Sequence, residues 1–325
     1  MRIALIEVGH WHASMYINRL KDSGSNVVAV SDRNKEVVAK VGQTLGCRSY
    51  IDFHRLLEKE KPDFVFAFGV HSQMSSIARL LIEKRIPFAM EKPVGIDHQT
   101  IEGLADLAAE NEVFNAIPLV FRAHPMTERL LALREQGEMG DFTHICLRYI
   151  AGPPDRYPAW GCEWMLHKDQ AGGGCTINLG VHFIDLFCYL TGSRIKTVYG
   201  KMSNLLHRKE VEDSSTIVVE SEAGAVGVIE TAYGHPGTEQ YYTFAGTEGY
   251  AVVHGNAMEY VSKKGEKTKI DLEQADLYAY FVDHTLECFV SQKKPIADLR
   301  DIYQAVKIVN LAYDSSLNNK ICYNQ

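Results

Sequence analysis

The 325 residues are enough for two domains that each bury a core, and the composition, 46% hydrophobic and 23% charged, is that of a globular protein. A net charge of -7 argues against nucleic acid or an anionic membrane as the main partner, and no apolar run approaches the roughly 20 residues of a membrane span. The seven cysteines are scattered without a CxxC pair, so we expect reduced thiols in a cytoplasmic protein and no metal site.

The first 120 residues alternate between apolar strands and amphipathic helices. This alternation is typical of a parallel, doubly wound sheet. The expected strands are residues 2–8, 27–32, 63–68, 86–89 and 113–118, and the expected helices are residues 11–23, 35–45, 53–59, 75–84 and 99–111. We therefore predict an α/β fold whose first domain, residues 1–120, is a Rossmann dinucleotide-binding domain.

The turn after the first strand is an incomplete dinucleotide fingerprint. The three glycine positions of G-x-G-x-x-G fall on Glu7, Gly9 and His12, so only the glycine that lets the backbone approach a pyrophosphate is present. Asp32 ends the second strand, where an acid accepts hydrogen bonds from a ribose diol and favours NAD over NADP. Arg33 beside it leaves NADP open. The alternative is an ordinary strand–helix turn followed by a turn aspartate.

A charged pair, Glu91 and Lys92, follows the short apolar strand at 86–89. The carboxyl ends of parallel strands form the edge where open sheets bind ligands. Pro93 ends the strand and restrains the backbone of Lys92, so a lysine here is suited to polarising a substrate oxygen or transferring a proton. The alternative is a solvated Glu–Lys pair in a loop.

The second half carries another candidate site after a glycine run. A helix at 122–137, a strand at 142–151 and an irregular aromatic loop from 152 lead to three glycines at 172–174, which allow close packing and unusual torsions. A helix is expected from there to about residue 190. Asn178 and His182 are four residues apart on it and share a face, with Asp185 on roughly the same side. His182 is either a general acid/base or a core histidine satisfied by Asp185.

Beyond residue 193 the pattern is mostly β. The expected strands are residues 195–202, 214–221, 225–232, 241–245, 250–254 and 257–262, and helices at 277–292 and 299–317 close the chain. Short turns between neighbours indicate antiparallel pairing. We predict an α+β domain over residues 121–325, with a large, mostly antiparallel open sheet. Helices can cover only one face of that sheet, and a second subunit is expected to cover the other, which favours a homodimer or homotetramer.

These motifs together resemble the family of glucose-fructose oxidoreductase, inositol dehydrogenase and MocA-type proteins. The resemblance rests on Glu91-Lys92-Pro93 after a strand, on Gly172-Gly173-Gly174 leading to Gly180-x-His182-x-x-Asp185, and on the spacing of Arg122 and Pro125. The order and spacing of the motifs cover nearly the whole chain. The resemblance implies a Rossmann domain followed by an α/β domain with an open sheet.

The resemblance also implies an activity. Members are NAD(P)-dependent oxidoreductases of a sugar, polyol or related hydroxy compound. In this chain Lys92 and His182 would be catalytic, with His182 taking the hydroxyl proton and Lys92 stabilising charge on the same oxygen. The family usually has an aspartate at the position of Asn178, so the imidazole here is oriented without a charge. Either His182 is a weaker base, or Lys92 transfers the proton, or the substrate differs.

The remaining candidates come from these motifs, from the loop after the third strand, from the aromatic loop and from the start of the strand at Tyr241. The expected cofactor contacts are Gly9, His10, Trp11, His12, Asp32, Arg33, Gly69, His71, Glu91 and Lys92. The expected substrate contacts are Arg122, Trp164 and Tyr241. A second hypothesis keeps the fold without the chemistry, as a non-catalytic nucleotide or sugar-nucleotide sensor, because Asn178 and Glu7 depart from the family pattern.

Overall fold

The computed structural model describes residues 1–324, which form two compact units. The first unit contains Met1–Leu119, Asp155–Gly172 and Tyr278–Tyr303. The second contains Val120–Pro154, Gly173–Leu277 and the residues from Gln304 onward. Residues 155–172 and 278–303, which were expected in the second domain, therefore pack with the first unit.

The first unit is built on a six-stranded parallel sheet. Its strands are β1 (Ile3–Ile6), β2 (Val27–Ser31), β3 (Arg48–Tyr50), β4 (Phe64–Ala67), β5 (Phe88–Met90) and β6 (Asn115–Ala116), in the order β3-β2-β1-β4-β5-β6. All residues of β1, β4 and β5 are buried, as expected for a sheet covered on both faces. The order reverses between β1 and β4, and a crevice for ligands opens at such a switch point.

Helices connect these strands. They span Ala13–Asp22, Lys35–Leu45, Phe53–Glu60, His71–Glu83 and His98–Glu110. Asn34, Asp52 and Asp97 cap three of them by accepting hydrogen bonds from backbone N–H groups of the first turn. The fourth helix begins at His71, four residues earlier than expected, so this side chain lies on the helix rather than in a loop. Strand β3 was not expected.

Two later segments complete the first unit. Residues 155–172 were expected to begin as an irregular loop, yet they form the short helices Arg156–Ala159, Glu163–Leu166 and Lys168–Ala171. Trp160 stacks on Trp11 at a ring-centre distance of 5.8 Å, and Tyr157 meets the same ring edge-on. The helix Leu277–Val290 and the start of the helix Leu299–Asn318 make up the other segment.

The second unit contains a nine-stranded sheet. Its strands are β7 (Phe142–Ala151), β8 (Ile195–Ser203), β9 (Ser214–Ser221), β10 (Val226–Tyr233), β11 (Glu239–Gly246), β12 (Gly249–His254), β13 (Ala257–Ser262), β14 (Lys267–Asp271) and β15 (Cys322–Tyr323). The order is β14-β13-β12-β11-β7-β10-β9-β8-β15, and only the β7–β10 pair is parallel. The expected mostly antiparallel sheet is confirmed, with β14 and β15 as additional edge strands.

Helices cover one face of this sheet. They are Val181–Thr191 and the part of Leu299–Asn318 from Gln304 onward, while Pro125–Glu135 is a further helix of this unit. At Gly227 a β-carbon would lie 2.8 Å from the ring of Phe187, and at Gly200 it would lie 2.6 Å from the carbonyl oxygen of Ala312. Strand pairing puts Gly227 and Gly200 on the same sheet face. Glycine at both positions therefore lets two helices pack closely on that face.

Two local features of the second unit differ from expectation. The helix expected from residue 122 begins at Pro125, with His124 as its N-cap, and Arg122 lies in a preceding 3-10 turn. The run after the glycines starts as a π-helix, Thr176–Gly180, before the α-helix Val181–Thr191. The stretch 168–191 is long and apolar enough to cross a membrane by length and composition, but 83% of its apolar window is buried, as in a core helix.

Candidate functional site

The turn after β1 is tied to the end of β2. The backbone N–H of Gly9 donates to Oδ2 of Asp32 at 2.6 Å, and Oδ1 of Asp32 accepts from the backbone N–H of Asn34 at 2.8 Å. A β-carbon at residue 9 would lie 2.8 Å from the same Asp32 oxygen, so the position needs glycine. Glu7 has a left-handed backbone with φ of 56°, a conformation that glycine adopts without strain.

A cavity of about 180 Å³ opens beside this turn. Gly9, Asp32 and Gly69 bring the carboxyl ends of β1, β2 and β4 to its wall. Its other lining residues are Glu7, His10, Asn34, Val37, Val70, Trp160, Gly161 and Trp164. The glutamate that replaces the first fingerprint glycine therefore faces the space expected for the cofactor, while Arg33 is exposed outside it.

Glu7 carries an unusual acid–base property. Burial, reinforced by the negative charge of Asp32, raises the pKa of its carboxyl to about 7, while the cation of Arg33 opposes the shift and Asp52 adds to it. Two carboxyl groups thus share one end of the cavity, and one of them changes its charge near neutral pH.

Glu91 anchors the other side of the turn. One carboxylate oxygen is 2.9 Å from Nδ1 of His12, and the other accepts from the hydroxyl of Tyr16 at 2.6 Å. The Tyr278 hydroxyl lies 3.2 Å from the same His12 nitrogen. Burial raises the pKa of Glu91, and the interactions with His10 and with the charge of Lys92 oppose that shift. His12, which replaces the third fingerprint glycine, therefore links the turn to the end of β5.

Lys92 is buried, with 1% of its surface exposed, and so is Glu91. The solvated Glu–Lys pair considered from the sequence is therefore wrong. The Lys92 ammonium lies 5.7 Å from the ring centre of Trp11, and the Lys92–Pro93 peptide is cis. Burial lowers the pKa of Lys92 to about 8, and the charge of Glu91 opposes the shift. This amine can donate a hydrogen bond as a cation or exchange a proton near neutral pH.

Two histidines of this unit, His10 and His71, contact the ring of the same tryptophan. The ring centre of Trp164 is 5.9 Å from that of His10 and 4.8 Å from that of His71. The nitrogens Nε2 of His10, Nε2 of His71 and Nε1 of Trp11 are buried and have no hydrogen-bond partner among residues 1–324. Buried polar atoms of this kind are normally satisfied, so they indicate where a polar ligand belongs.

The second unit places His182 and Asn178 beneath its sheet. Asn178 is buried in the π-helix, and its Nδ2 donates to the hydroxyl of Tyr233 at 3.0 Å. The ring of His182, 7% exposed, is 5.7 Å from the ring of Phe121. Asp185, the suggested core partner of His182, accepts from Nε of Arg122 at 2.9 Å and from its terminal nitrogen at 2.5 Å.

The expected substrate contacts are not gathered in one place within either unit. Arg122 is held by Asp185 and lies 4.9 Å from the ring centre of Tyr189. Tyr241, 42% exposed, is on the sheet face opposite to its neighbour Tyr242, which packs on Phe183 of the helix Val181–Thr191. Tyr241 therefore faces away from the helix that carries His182. Trp164 lines the cavity of the first unit instead.

Glu212 is a residue of this region that sequence reasoning missed. Its carboxylate accepts from the backbone N–H groups of Gly174 and Thr176 and from the hydroxyl of Tyr313. A β-carbon at Gly174 would lie 1.9 Å from the Glu212 carbonyl oxygen. The glycine run thus exists to let this loop cap the π-helix, a contact with no local sequence signal.

Comparison with known proteins decides the family. Residues 1–117 match the family described as an oxidoreductase family with an NAD-binding Rossmann fold, and residues 127–252 match the GFO/IDH/MocA C-terminal domain. The chain belongs to the Gfo/Idh/MocA family of oxidoreductases. The family and the fold expected from the sequence are both confirmed.

Relatives of this Gfo/Idh/MocA protein are distant in sequence, and two of them match over nearly their full length. It is 24% identical to scyllo-inositol 2-dehydrogenase (NAD(+)) of Bacillus subtilis, over 98% of this chain and 93% of that protein. It is 24% identical to D-glucoside 3-dehydrogenase of Escherichia coli, over 97% and 95%. An Agrobacterium radiobacter oxidoreductase solved with NAD+, L-tartaric acid and magnesium superposes with a TM-score of 0.89 at 18% identity, over 99% and 98%, which shows the shared fold.

The residues present fit the NAD cofactor of the family. Gly9 and Asp32 both line the cavity, and Asp32 is at the position that recognises a ribose diol. The buried nitrogens of His10, Trp11 and His71 lack hydrogen-bond partners among residues 1–324, as expected of groups that a polar ligand satisfies. Among residues 1–324, no group of three His, Cys, Asp or Glu side chains is arranged to hold a metal ion.

Lys92→Met should stabilise this protein at neutral pH. Burial lowers the pKa of Lys92, so between about pH 8 and 10 the unfolded chain binds more protons than the folded chain. Below that pH range the buried ammonium lowers the free energy of unfolding by roughly 1–3 kcal/mol. We expect the variant to unfold at higher urea concentration at pH 7, with the difference shrinking toward pH 10. The exposed Lys84→Met is the control. A loss of stability in Lys92→Met at pH 7 would show that the buried amine is stabilising.

Affinity for NAD should fall as the pH rises through 7. Below its pKa of about 7 Glu7 is neutral, and above it a negative charge faces a cavity that must accept an anionic cofactor. We expect the Kd for NAD to rise about five- to tenfold between pH 6 and 8.5, measured by tryptophan fluorescence. Glu7→Gln should bind with little dependence on pH. An equal dependence in both proteins would assign the titration to another group.

Proposed function

We propose that this chain is an NAD-dependent dehydrogenase that oxidises a secondary hydroxyl group of a polyol or sugar. The observation that carries the proposal is the buried Lys92 amine, which lies at the carboxyl end of β5 in the same unit as the dinucleotide turn. The relatives support the substrate class, because those with named activities include an inositol dehydrogenase and a glucoside dehydrogenase.

The proposed reaction divides the work between cofactor and protein. NAD, when bound, would supply the hydride acceptor for the carbinol carbon. Lys92, as a cation, donates a hydrogen bond to the hydroxyl oxygen and stabilises the charge that develops on it. A base must take the hydroxyl proton, and the family motif points to His182 for this role, so the products would be a ketone, NADH and a protonated base. Asn178 is held by Tyr233 and leaves His182 without the aspartate usual in the family.

Two observations weigh on the alternatives. The named activities of the relatives are dehydrogenations or reductions, which disfavours the non-catalytic sensor. Asp32 is buried at the cavity and Arg33 is exposed outside it, which supports NAD over NADP.

The seven cysteines are free thiols, which supports the expected cytoplasmic location. We keep the expectation of no nucleic-acid or membrane partner on the basis of charge.

Hydride transfer tests the function directly. We expect NADH to form when the protein is mixed with NAD and a panel of inositols, aldoses and glucosides, with NADP at least tenfold less effective. Lys92→Met should lower turnover by at least a hundredfold while the Kd for NAD changes only a few-fold, and His182→Gln should also lower turnover. Lys84→Met should react like the wild type. Tight NAD binding without turnover on any member of the panel would restore the sensor hypothesis.

We also propose a homo-oligomer that covers the open sheet face. A row across six strands on that face is largely apolar or uncharged, in the order Tyr199, Val218, Val228, Cys146, Thr243 and Val252. Val218 is 39% exposed and Tyr199 is 37% exposed. An antiparallel sheet tolerates one wet face, but a broad apolar row is typical of an interface.

A single charged substitution on the open sheet face tests the proposed oligomer interface. We expect the wild type to sediment as a dimer or tetramer at micromolar concentration. Val218→Glu should shift it toward the monomer, because an exposed position accepts the charge in the monomer and a buried interface does not. Glu36→Lys, on a helix of the first unit, is the control. A monomeric wild type would contradict the proposal, and so would a Val218→Glu variant with unchanged sedimentation.

A further inference from the structure

His71 offers a buried nitrogen that can only accept a hydrogen bond. Its Nδ1 is 2.9 Å from the carbonyl oxygen of Ala171. A carbonyl oxygen has no proton to give, so Nδ1 carries the hydrogen and Nε2 is bare. Burial and the nearby charge of Lys92 lower the pKa of His71 to about 3, so the ring stays neutral at physiological pH.

His10 offers the opposite polarity. Its Nδ1 accepts from the backbone N–H of His12 at 3.1 Å, so the hydrogen of the neutral ring is on Nε2. Burial lowers the pKa of His10 well below its ordinary value, Glu91 opposes the shift, and the positive charge of Lys92 adds to it. Nε2 of His10 is therefore a hydrogen-bond donor.

The Nε2 atoms of His10 and His71 have complementary hydrogen-bonding roles, one as donor and one as acceptor. Both are buried without a hydrogen-bond partner among residues 1–324, and both rings lie on Trp164. His10 lines the cavity beside Gly9, and the charge of Lys92 reaches both rings. Phosphate oxygens cannot satisfy His71, because two acceptors would face each other. The ligand group must present one acceptor and one N–H or O–H donor.

We propose that His10 and His71 bind the carboxamide of the nicotinamide ring, with His10 donating to its oxygen and His71 accepting from its N–H. The inference rests on the proposed NAD-dependent function and names the residues that orient the reactive ring. A primary carboxamide presents the acceptor and the donor that the two nitrogens require. A hydroxyl group of the substrate or of the ribose has the same chemistry, and the experiment separates these sources.

An analogue that lacks one hydrogen-bond donor tests the pair. In 3-acetylpyridine adenine dinucleotide an acetyl group keeps the carbonyl oxygen of NAD but has no N–H. We expect the wild type to bind NAD about tenfold more tightly than the analogue, by tryptophan fluorescence or calorimetry. His71→Leu should bind both equally well, whereas His71→Gln, which can present an amide oxygen, should keep part of the preference. The exposed His54→Leu is the matched control and should behave like the wild type.

Each other result has a distinct meaning. Equal wild-type affinity for NAD and the analogue overturns the proposal. This result is measured on the wild type alone, so it does not depend on whether a variant folds. A His71→Leu protein that keeps the preference but has a raised KM for the sugar assigns the pair to a substrate hydroxyl and also overturns it. A loss of NAD affinity in His71→Leu with the preference unchanged assigns the pair to the ribose. No NAD binding by the wild type contradicts the proposed function itself.

Discussion

The buried carboxylate of Glu91 is the contact on which the first unit's site depends. It holds His12 of the turn and Tyr16 of the following helix at the end of β5, next to Lys92. A buried amine without a nearby opposite charge would lose its proton more readily than Lys92 does. Glu91 thus keeps the lysine near the pH at which it is useful, while the same carboxylate fixes the turn that a dinucleotide must approach.

The turn shows how this chain replaces glycine with hydrogen bonds. The usual fingerprint obtains its tight path from three glycines, because their backbone is free of a β-carbon. Here Gly9 alone makes the close contact with Asp32, and His12 secures the third position through Glu91 instead. Glu7 keeps the left-handed backbone at the first position and adds an acid to the cavity. The fold is retained although its binding surface has changed.

Local patterns allowed much of the fold and part of the site to be predicted from the sequence. The strands near Gly9, Asp32 and Lys92 are continuous apolar runs, so their ends could be located. Strand β3 has two exposed residues of three and β14 is largely charged, and neither carries an alternating apolar signal. The assignment of residues 155–172 depends on Trp160 and Tyr157 packing on Trp11, a contact distant in sequence.

The parts of the site that could not be predicted are the ones set by tertiary hydrogen bonds. Glu212 caps the glycine run from a loop without a motif, and Asn178 turns to Tyr233 rather than being placed by its helical spacing alone. The tautomers of His10 and His71 are set in the same way, by one backbone N–H and one backbone carbonyl. A sequence names two histidines with identical chemistry. Only their neighbours make one of them a donor and the other an acceptor, and that difference determines which ligand group can hydrogen-bond to both.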